Sequence, residues 1–445
     1  MKRELIFLWK TAIVLISGWI LGTLLLTLAF CLPIDRMYSG YQSVGLPSLE
    51  RRDGWHRYLI DYESSTLDNN TECLMMKVSA TPLPETGENI LQKALRCYTL
   101  NNEWNHGLTF QQYEWNGHTL SCDSYERYWH GYAVLLKPLM LLLSYTDIVF
   151  LNIVLQLSLI VLILYLFDKR DLKYLQLPFL IFQAVNLQFV VALCLDYSVC
   201  FYLYTAALVT LLGWPKIRIQ YPFFFMVTGM ATAYLDLLTW PLVTLAVPLI
   251  VFLSMEKENL TAALKKLAVS TLFWSIGYAG QWAGKWIVAT IFLDDNIILD
   301  AIRQLGLRSS SEIIETGETV SWLDVIRRNL SVFDKSGYQI LFVSISLWLV
   351  FILVQKARSA SFCMQNIIKE AIPYLVIASY PVFWYLLTKN HSFSHCWMTW
   401  RILSISVFAV CCSGNRPVPQ HSIAVPAGSP VLPAHLSRPP QAPLS

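Results

Sequence analysis

The sequence is short of charge: aspartate, glutamate, lysine and arginine make up 14 % of its 445 residues, against roughly 25 % in a soluble domain. A surface so poor in charge cannot be wetted all round, which excludes a soluble globular fold and a disordered chain. No GxxxxGK[ST], GxGxxG or GxSxG run is present, and this argues against an ATP-driven pump, a dinucleotide enzyme and a serine hydrolase. No CxxC pair occurs, and ten cysteines are too few for a disulfide scaffold. The net charge of +3 is too small and too dispersed to suit nucleic acid.

What the chain does have is apolar residues, 55 % of the total, with a mean hydropathy of +0.47. Apolar runs recur near the roughly 20 residues that cross a bilayer. The pattern predicts an all-α, polytopic membrane protein of about ten transmembrane helices. The first run reaches Leu32, is too long for a signal-peptide core, and precedes no small-residue cleavage pattern, so a retained helix is expected. Later runs fall at about 146–167, 175–193, 197–213, 221–235, 237–254, 267–292, 338–354 and 371–388, with a short one from Ile402.

Basic residues set the orientation. With a cytoplasmic N-terminus, that side receives Lys169, Arg170 and Lys173, then Lys216 and Arg218, Lys265 and Lys266, and Lys356 and Arg358. The opposite side receives short turns at Asp196 and Asp236 and two net-acidic stretches, 33–130 and 294–337. The first of these holds thirteen acidic against eight basic residues. The expected plan, placed in the plasma membrane, is a first transmembrane helix at 1–32, a large extracytoplasmic loop at 33–130 and a helical bundle at 131–412. An outer loop at 294–337 interrupts the bundle, and a disordered proline-rich tail follows at 413–445. Turn signals and a helix near Glu88–Thr99 make the large loop a folded unit, and Cys73, Cys97 and Cys122 leave room for one disulfide. The stretch around Lys137 and Pro138 suits a helix lying in the interface. The last run, Ile402 to Cys412, makes only about 16 Å of helix against a core of about 30 Å. The tail therefore reads as the product of a frameshift or truncation.

Ionisable groups at the ends of membrane helices are costly and tend to be functional. Here they gather on the acidic side. The first loop supplies Asp61, Glu63, Asp68 and Glu72, the turns Asp196 and Asp236, and the second loop Asp294 and Asp295. The segment KNHSFSHCWMTWR adds Lys389, Asn390, His391, His395 and Arg401. Carboxylates and cations at one rim suit a substrate with a polar head and an apolar tail. Asp196 and Asp236 serve equally well as helix caps. His391 and His395 are spaced like two ligands on one helix face, yet no HExxH or third ligand accompanies them. Interfacial hydrogen bonding is their expected role, and a divalent cation stays open. Arg401 can snorkel to the interface or hold a phosphate through its fork of donors. The sixteen tryptophans and twenty-two tyrosines read mainly as interfacial belts.

The layout of a cytoplasmic N-terminus, a large first outer loop and many further helices resembles the GT-C superfamily of integral-membrane glycosyltransferases. The segments LDNNTECLMM, YWHGY, AYLDLLTWPL and NHSFSHCWMTWR are also similar to those of multispanning cell-envelope proteins of Gram-positive bacteria with no assigned activity. The superfamily resemblance implies a polyprenyl-phosphate lipid as sugar donor and inverting transfer to an extracytoplasmic acceptor. It implies a carboxylate base from the first loop (Asp68, Glu72 or Asp61) with Asp236 as a further polar group. Arg401, His391 and His395, with Asn390 and Asp196, would bind the substrate. The chain departs from the superfamily in one respect: close behind the first helix it offers only Asp35, beside Arg36. A lipid or solute transporter or flippase, and a non-catalytic membrane assembly protein, are the alternatives. The absence of repeated halves and the rim position of the charges tell against the transporter.

Overall fold

Among the described residues, six helices are long and apolar enough to cross a membrane: Leu5–Phe30, Tyr145–Lys169, Leu195–Gly213, Ser336–Ala357, Met364–Leu387 and Cys396–Asn415. They are seen in a computed structural model that describes residues 2–50, 54–100, 111–256, 258–312, 317–358 and 363–416. From residue 417 on, the expected proline-rich tail lies outside the described residues. The protein is mainly helical, and its long apolar helices suit a membrane lipid environment.

The other expected runs take different forms, each for a local reason. The run 175–193 is broken into Gln176–Val185 and Gln188–Leu193 by Leu187, whose φ is +49°. There the Asn186 amide is drawn to Ser404 Oγ at 2.9 Å and Phe182 O at 3.1 Å. The run 237–254 is helical only over Val243–Met255, because Asp236 folds the preceding residues into a turn and Pro241 lies within it. That helix is buried on every side, as an all-apolar helix must be. The helix Leu260–Phe292 has 33 residues, but its Ser, Gly, Tyr, Trp and Gln residues, with Lys265, Lys266 and Lys285 towards its ends, make it too weakly apolar to join the six.

The last spanning segment starts earlier than expected. A 3-10 turn at Trp400–Leu403 joins Cys396–Thr399 to Ser404–Asn415, giving 20 residues in place of the eleven read from Ile402. The short-helix argument for a truncation therefore falls away.

The first loop is folded, and its strands qualify the all-α expectation. Trp55–Arg57 pairs antiparallel with Thr66–Asp68, in register Trp55 to Asp68. A three-stranded sheet runs in the order Thr99–Leu100, His118–Asp123, Gln111–Trp115. Its hairpin turns on Asn116 and Gly117, at φ +46° and +79°, as an Asn-Gly turn does. The expected helix appears at Ile90–Arg96 behind an Asn89–Gln92 capping box. The helix Ala133–Leu142 is too short to cross, and its Lys137 points inward, bonding Ser79 O at 2.9 Å. All ten cysteines are unpaired.

Polar contacts concentrate at two opposite groups of loops. At one, the first and second loops are clamped together by Arg96–Asp295 (2.7 Å), Arg127–Asp300 (2.8 Å) and Arg328–Glu63 (2.6 Å). At the other, Glu256 takes Arg218 and Lys266, while Lys356 bonds Gly414 O.

Between them, the helices Tyr221–Leu235 and Leu260–Phe292 cross at Gly229 and Gly277. A Cβ on Gly277 would stand 2.8 Å from the Met226 carbonyl carbon, and one on Gly229 would stand 2.9 Å from the Tyr278 amide nitrogen. Backbone cannot yield as a flexible side chain can. Gly277→Leu is expected to cost at least about 1–3 kcal/mol, read as a lowered unfolding temperature of the detergent-solubilised protein, with Gly213→Leu, in open space, as the control.

Candidate functional site

The acidic residues predicted from the turns and the first loop do converge, but they are enclosed. Asp68 ends a strand and caps the helix Asn69–Ala80, accepting from Thr71 N at 3.0 Å and Thr71 Oγ1 at 2.9 Å. The Trp397 indole donates at 3.0 Å to Oδ2, the oxygen that also takes the Thr71 hydroxyl. Burial pushes the Asp68 carboxyl up, while these hydrogen bonds and the Arg401 charge hold it back. One turn on, Glu72 accepts from Tyr145 OH at 3.1 Å and from the Leu195 backbone N–H at 3.2 Å. It thus ties the first loop to the start of the spanning helix Leu195–Gly213. Burial raises Glu72 to about 7.

Asp196 begins that same helix and is buried, yet neither carboxyl oxygen has a hydrogen-bond partner. The charges acting on it are Asp68, Asp236, Glu72 and Arg401. Neither acid caps a following helix as expected: Cys194 and Leu242 stand at those positions without a side-chain cap, and Asp236 holds a turn instead. Its carboxylate accepts from Thr239 N at 3.1 Å, from the Thr239 hydroxyl, and from Cys200 Sγ at 3.3 Å. Burial raises Asp236 to about 6.

Arg401 is the cation of this cluster and is fully buried rather than snorkelling to the interface. Its guanidinium donates to Trp397 O at 2.9 Å and Ser64 O at 3.2 Å, and lies 4.1 Å from the centre of the Tyr197 ring. Its Nε has no partner.

The histidines form a second group. His391 accepts from Arg308 at Nδ1 (3.0 Å), and its Nε2 faces Leu238 O at 3.0 Å. His395 stacks on it with ring centres 4.5 Å apart. Burial first, then the neighbouring His395 and Arg308, push His391 well down, and burial with Arg308 takes His395 to about 4. Both imidazoles are therefore neutral near pH 7. That assigns the His391 proton to Nε2, where it bonds Leu238. Leu238 itself is held at φ +67°. Asn390 reaches away from this group, to Glu312 O at 2.6 Å and Ser310 Oγ at 3.3 Å. Asp61 is exposed on the loop surface.

The open space lies on the far side of Arg308. A cleft of about 340 Å³ is walled by Tyr128, Tyr278, Trp282, Trp286 and Trp384, with Leu238, Leu305 and Leu387. Two cations, Arg127 and Arg308, and the polar Gln304, Ser309 and Thr388 belong to the same lining. The Tyr278 hydroxyl is shielded from solvent and has no hydrogen-bond partner. The expected crevice shared by acids and Arg401 is thus two adjoining places, a closed acid–arginine cluster and an open aromatic cleft. Leu238 joins them: it lines the cleft two residues from Asp236 and accepts from His391. Sequence reasoning missed the cleft residues, although Tyr278, Trp282 and Trp286 repeat at i, i+4 and i+8 on one helix face.

Among the described residues no group of three His, Cys, Asp or Glu side chains could hold a metal ion. The stacked histidines spend three of their four ring nitrogens on Arg308 and backbone carbonyls. The donor set does not suit a divalent cation. Compared with protein-family models, curated proteins and solved structures, the chain matches none.

The raised Glu72 carboxyl sets a pH dependence. Between its usual 4.5 and about 7 the folded chain keeps a proton that the unfolded chain releases. Stability is therefore full below pH 4.5 and falls as the pH climbs to 7, by about 3 kcal/mol from this group. Glu72→Gln keeps the shape without the charge, so its stability advantage over the natural chain should grow across that window and level off above it. Thermal unfolding in detergent over a pH series measures this.

Proposed function

We propose that the protein is a membrane glycosyltransferase of the GT-C-like kind, moving a sugar from a polyprenyl-phosphate donor to an extracytoplasmic acceptor. The observation that carries this reading is the cleft. Its aromatic and aliphatic walls suit an isoprenoid tail, and its arginines suit a phosphate. Arg308 and Arg127 take the role first expected of Arg401. His391, neutral and bonded to Leu238 O, positions Arg308. A phosphate leaving group gains charge as the sugar departs, and guanidinium groups placed beside it favour that state over the bound donor.

Among the candidate bases, Asp236 stands two residues from the cleft residue Leu238. Its charge acts on the cleft residues Tyr128 and Tyr278. With its carboxyl raised to about 6, it is poised near neutral pH as a base for an acceptor hydroxyl. Asp68 and Glu72 hold the first loop in place behind it. In this reading the clamped loops are extracytoplasmic and the N-terminus is cytoplasmic. The shorter elements, such as Tyr221–Leu235 and Val243–Met255, bring the crossings to about ten.

The test is transfer from labelled polyprenyl-phosphate sugars by membranes containing the intact chain, Arg308→Ala or Asp236→Asn. Loss of a general base costs about 10²- to 10⁴-fold, so Asp236→Asn should fall by at least a hundredfold. Arg308→Ala should fall comparably, with weaker donor binding. Equal transfer in all three proteins would overturn the assigned roles, and transfer by none of them, with lipid movement across the bilayer retained, would favour the flippase.

A further inference from the structure

The helix Ile297–Ser309 has two faces of different character. Its inward face carries Ile297, Ala301, Gln304 and Arg308 against the protein, with Asp300 beside them paired to Arg127 at 2.8 Å. Arg308 anchors the end of the helix on His391. The outward face carries Leu299, Ile302 and Leu305, which are 54 %, 57 % and 51 % exposed. These stand three residues apart, as one stripe along a helix does. Arg303 is exposed at the edge of that stripe.

The stripe is not isolated. The end of the preceding helix exposes Ile291 and Phe292, and the segment Tyr380–Leu387 exposes Phe383 and Leu387. Leu387 belongs to the spanning helix Met364–Leu387, so the apolar surface of a membrane helix continues onto a helix of the second loop. Leu305 and Leu387 also line the cleft. Its mouth is therefore bordered by the same apolar surface.

We propose that Ile297–Ser309 lies on the membrane surface, with Leu299, Ile302 and Leu305 among the acyl chains and Arg303 at the headgroups, and that it frames a lateral doorway from the lipid into the cleft. The occupant of this outward face is bilayer lipid. Three apolar side chains on a surface helix with a flanking cation are the arrangement that binds an interface, and Arg303 can snorkel to lipid phosphates. The inference rests on the helix and the cleft mouth rather than on the reaction, and lipid contact is read without any transfer activity, so its failure is told apart from a failure of the glycosyltransferase reading.

The experiment uses the full chain in proteoliposomes of phosphatidylglycerol and phosphatidylethanolamine, with a benzophenone amino acid in place of Ile302 or, as an aqueous control, His118. On illumination, phospholipid adducts are expected at position 302 and not at 118, as read by mass spectrometry of the labelled peptides. Hydroxyl-radical labelling of the unsubstituted chain in the same vesicles covers the case in which the substituted proteins misfold. It should leave Leu299 and Leu305 unmodified while oxidising His118. No lipid adduct at 302, a cross-link there to a second copy of the chain, or oxidation of Leu299 and Leu305 to the level of His118 would overturn the proposal.

Discussion

Arg401 brings a full positive charge to a position with no exposure to solvent, and three parts of the chain meet in making that tolerable. Ser64 of the first loop and Trp397 of the last spanning segment supply carbonyl oxygens, and Tyr197 supplies a ring face. Asp68 and Asp196 feel its charge directly. A buried charge left without partners costs several kcal/mol, so each partner is a reason for the others to stay where they are. The cluster has more acids than cations. Asp196 has three carboxyl groups acting on it, Asp68, Asp236 and Glu72, against one guanidinium, and carboxylates in such a group oppose one another's ionisation.

The same constraint explains why the large loop is part of the bundle rather than a separate domain. Each ion pair between the two loops is individually weak, since partly exposed pairs contribute about 0–1 kcal/mol. The buried contacts do more. Tyr197 donates to Thr66 O at 3.0 Å, Trp397 to Asp68 at 3.0 Å, and Trp129 to Gln281 O at 2.7 Å. Breaking any of these leaves a polar atom unsatisfied in a poorly hydrated place. The loop therefore fixes the ends of the helices, and through Arg127 it fixes one wall of the cleft.

Much of this was legible from residue order. Apolar runs marked the helices long enough to span, and turn signals marked the first loop as a folded unit; several of the acids lie near Arg401, enclosed rather than in an open crevice. The interruptions were not legible. Nothing in the composition of 175–193 signals a left-handed Leu187, and the neighbouring Asn186 bonds Ser404, more than two hundred residues away. The cleft was hidden for a similar reason. Arg127 and Arg308 are 181 residues apart and are brought to one wall by tertiary contacts, among them Asp300 with Arg127, His391 with Arg308 and Arg308 over the Tyr128 ring. Burial also separated two roles that the sequence had merged. Arg401 looks like a phosphate ligand by type and is a structural cation by environment, whereas Arg308 has both a neutral histidine behind it and open space before it.

The central claim is that the clamped loops build an anion-binding cleft that opens to lipid. An electron cryo-microscopy map of the full chain in lipid nanodiscs supplied with a polyprenyl phosphate tests it most directly. The account predicts headgroup density within hydrogen-bond distance of Arg308 and Arg127, and a tail leaving between Leu305 and Leu387. Aromatic walls closed on one another, with the lipid phosphate bound only elsewhere, would contradict it.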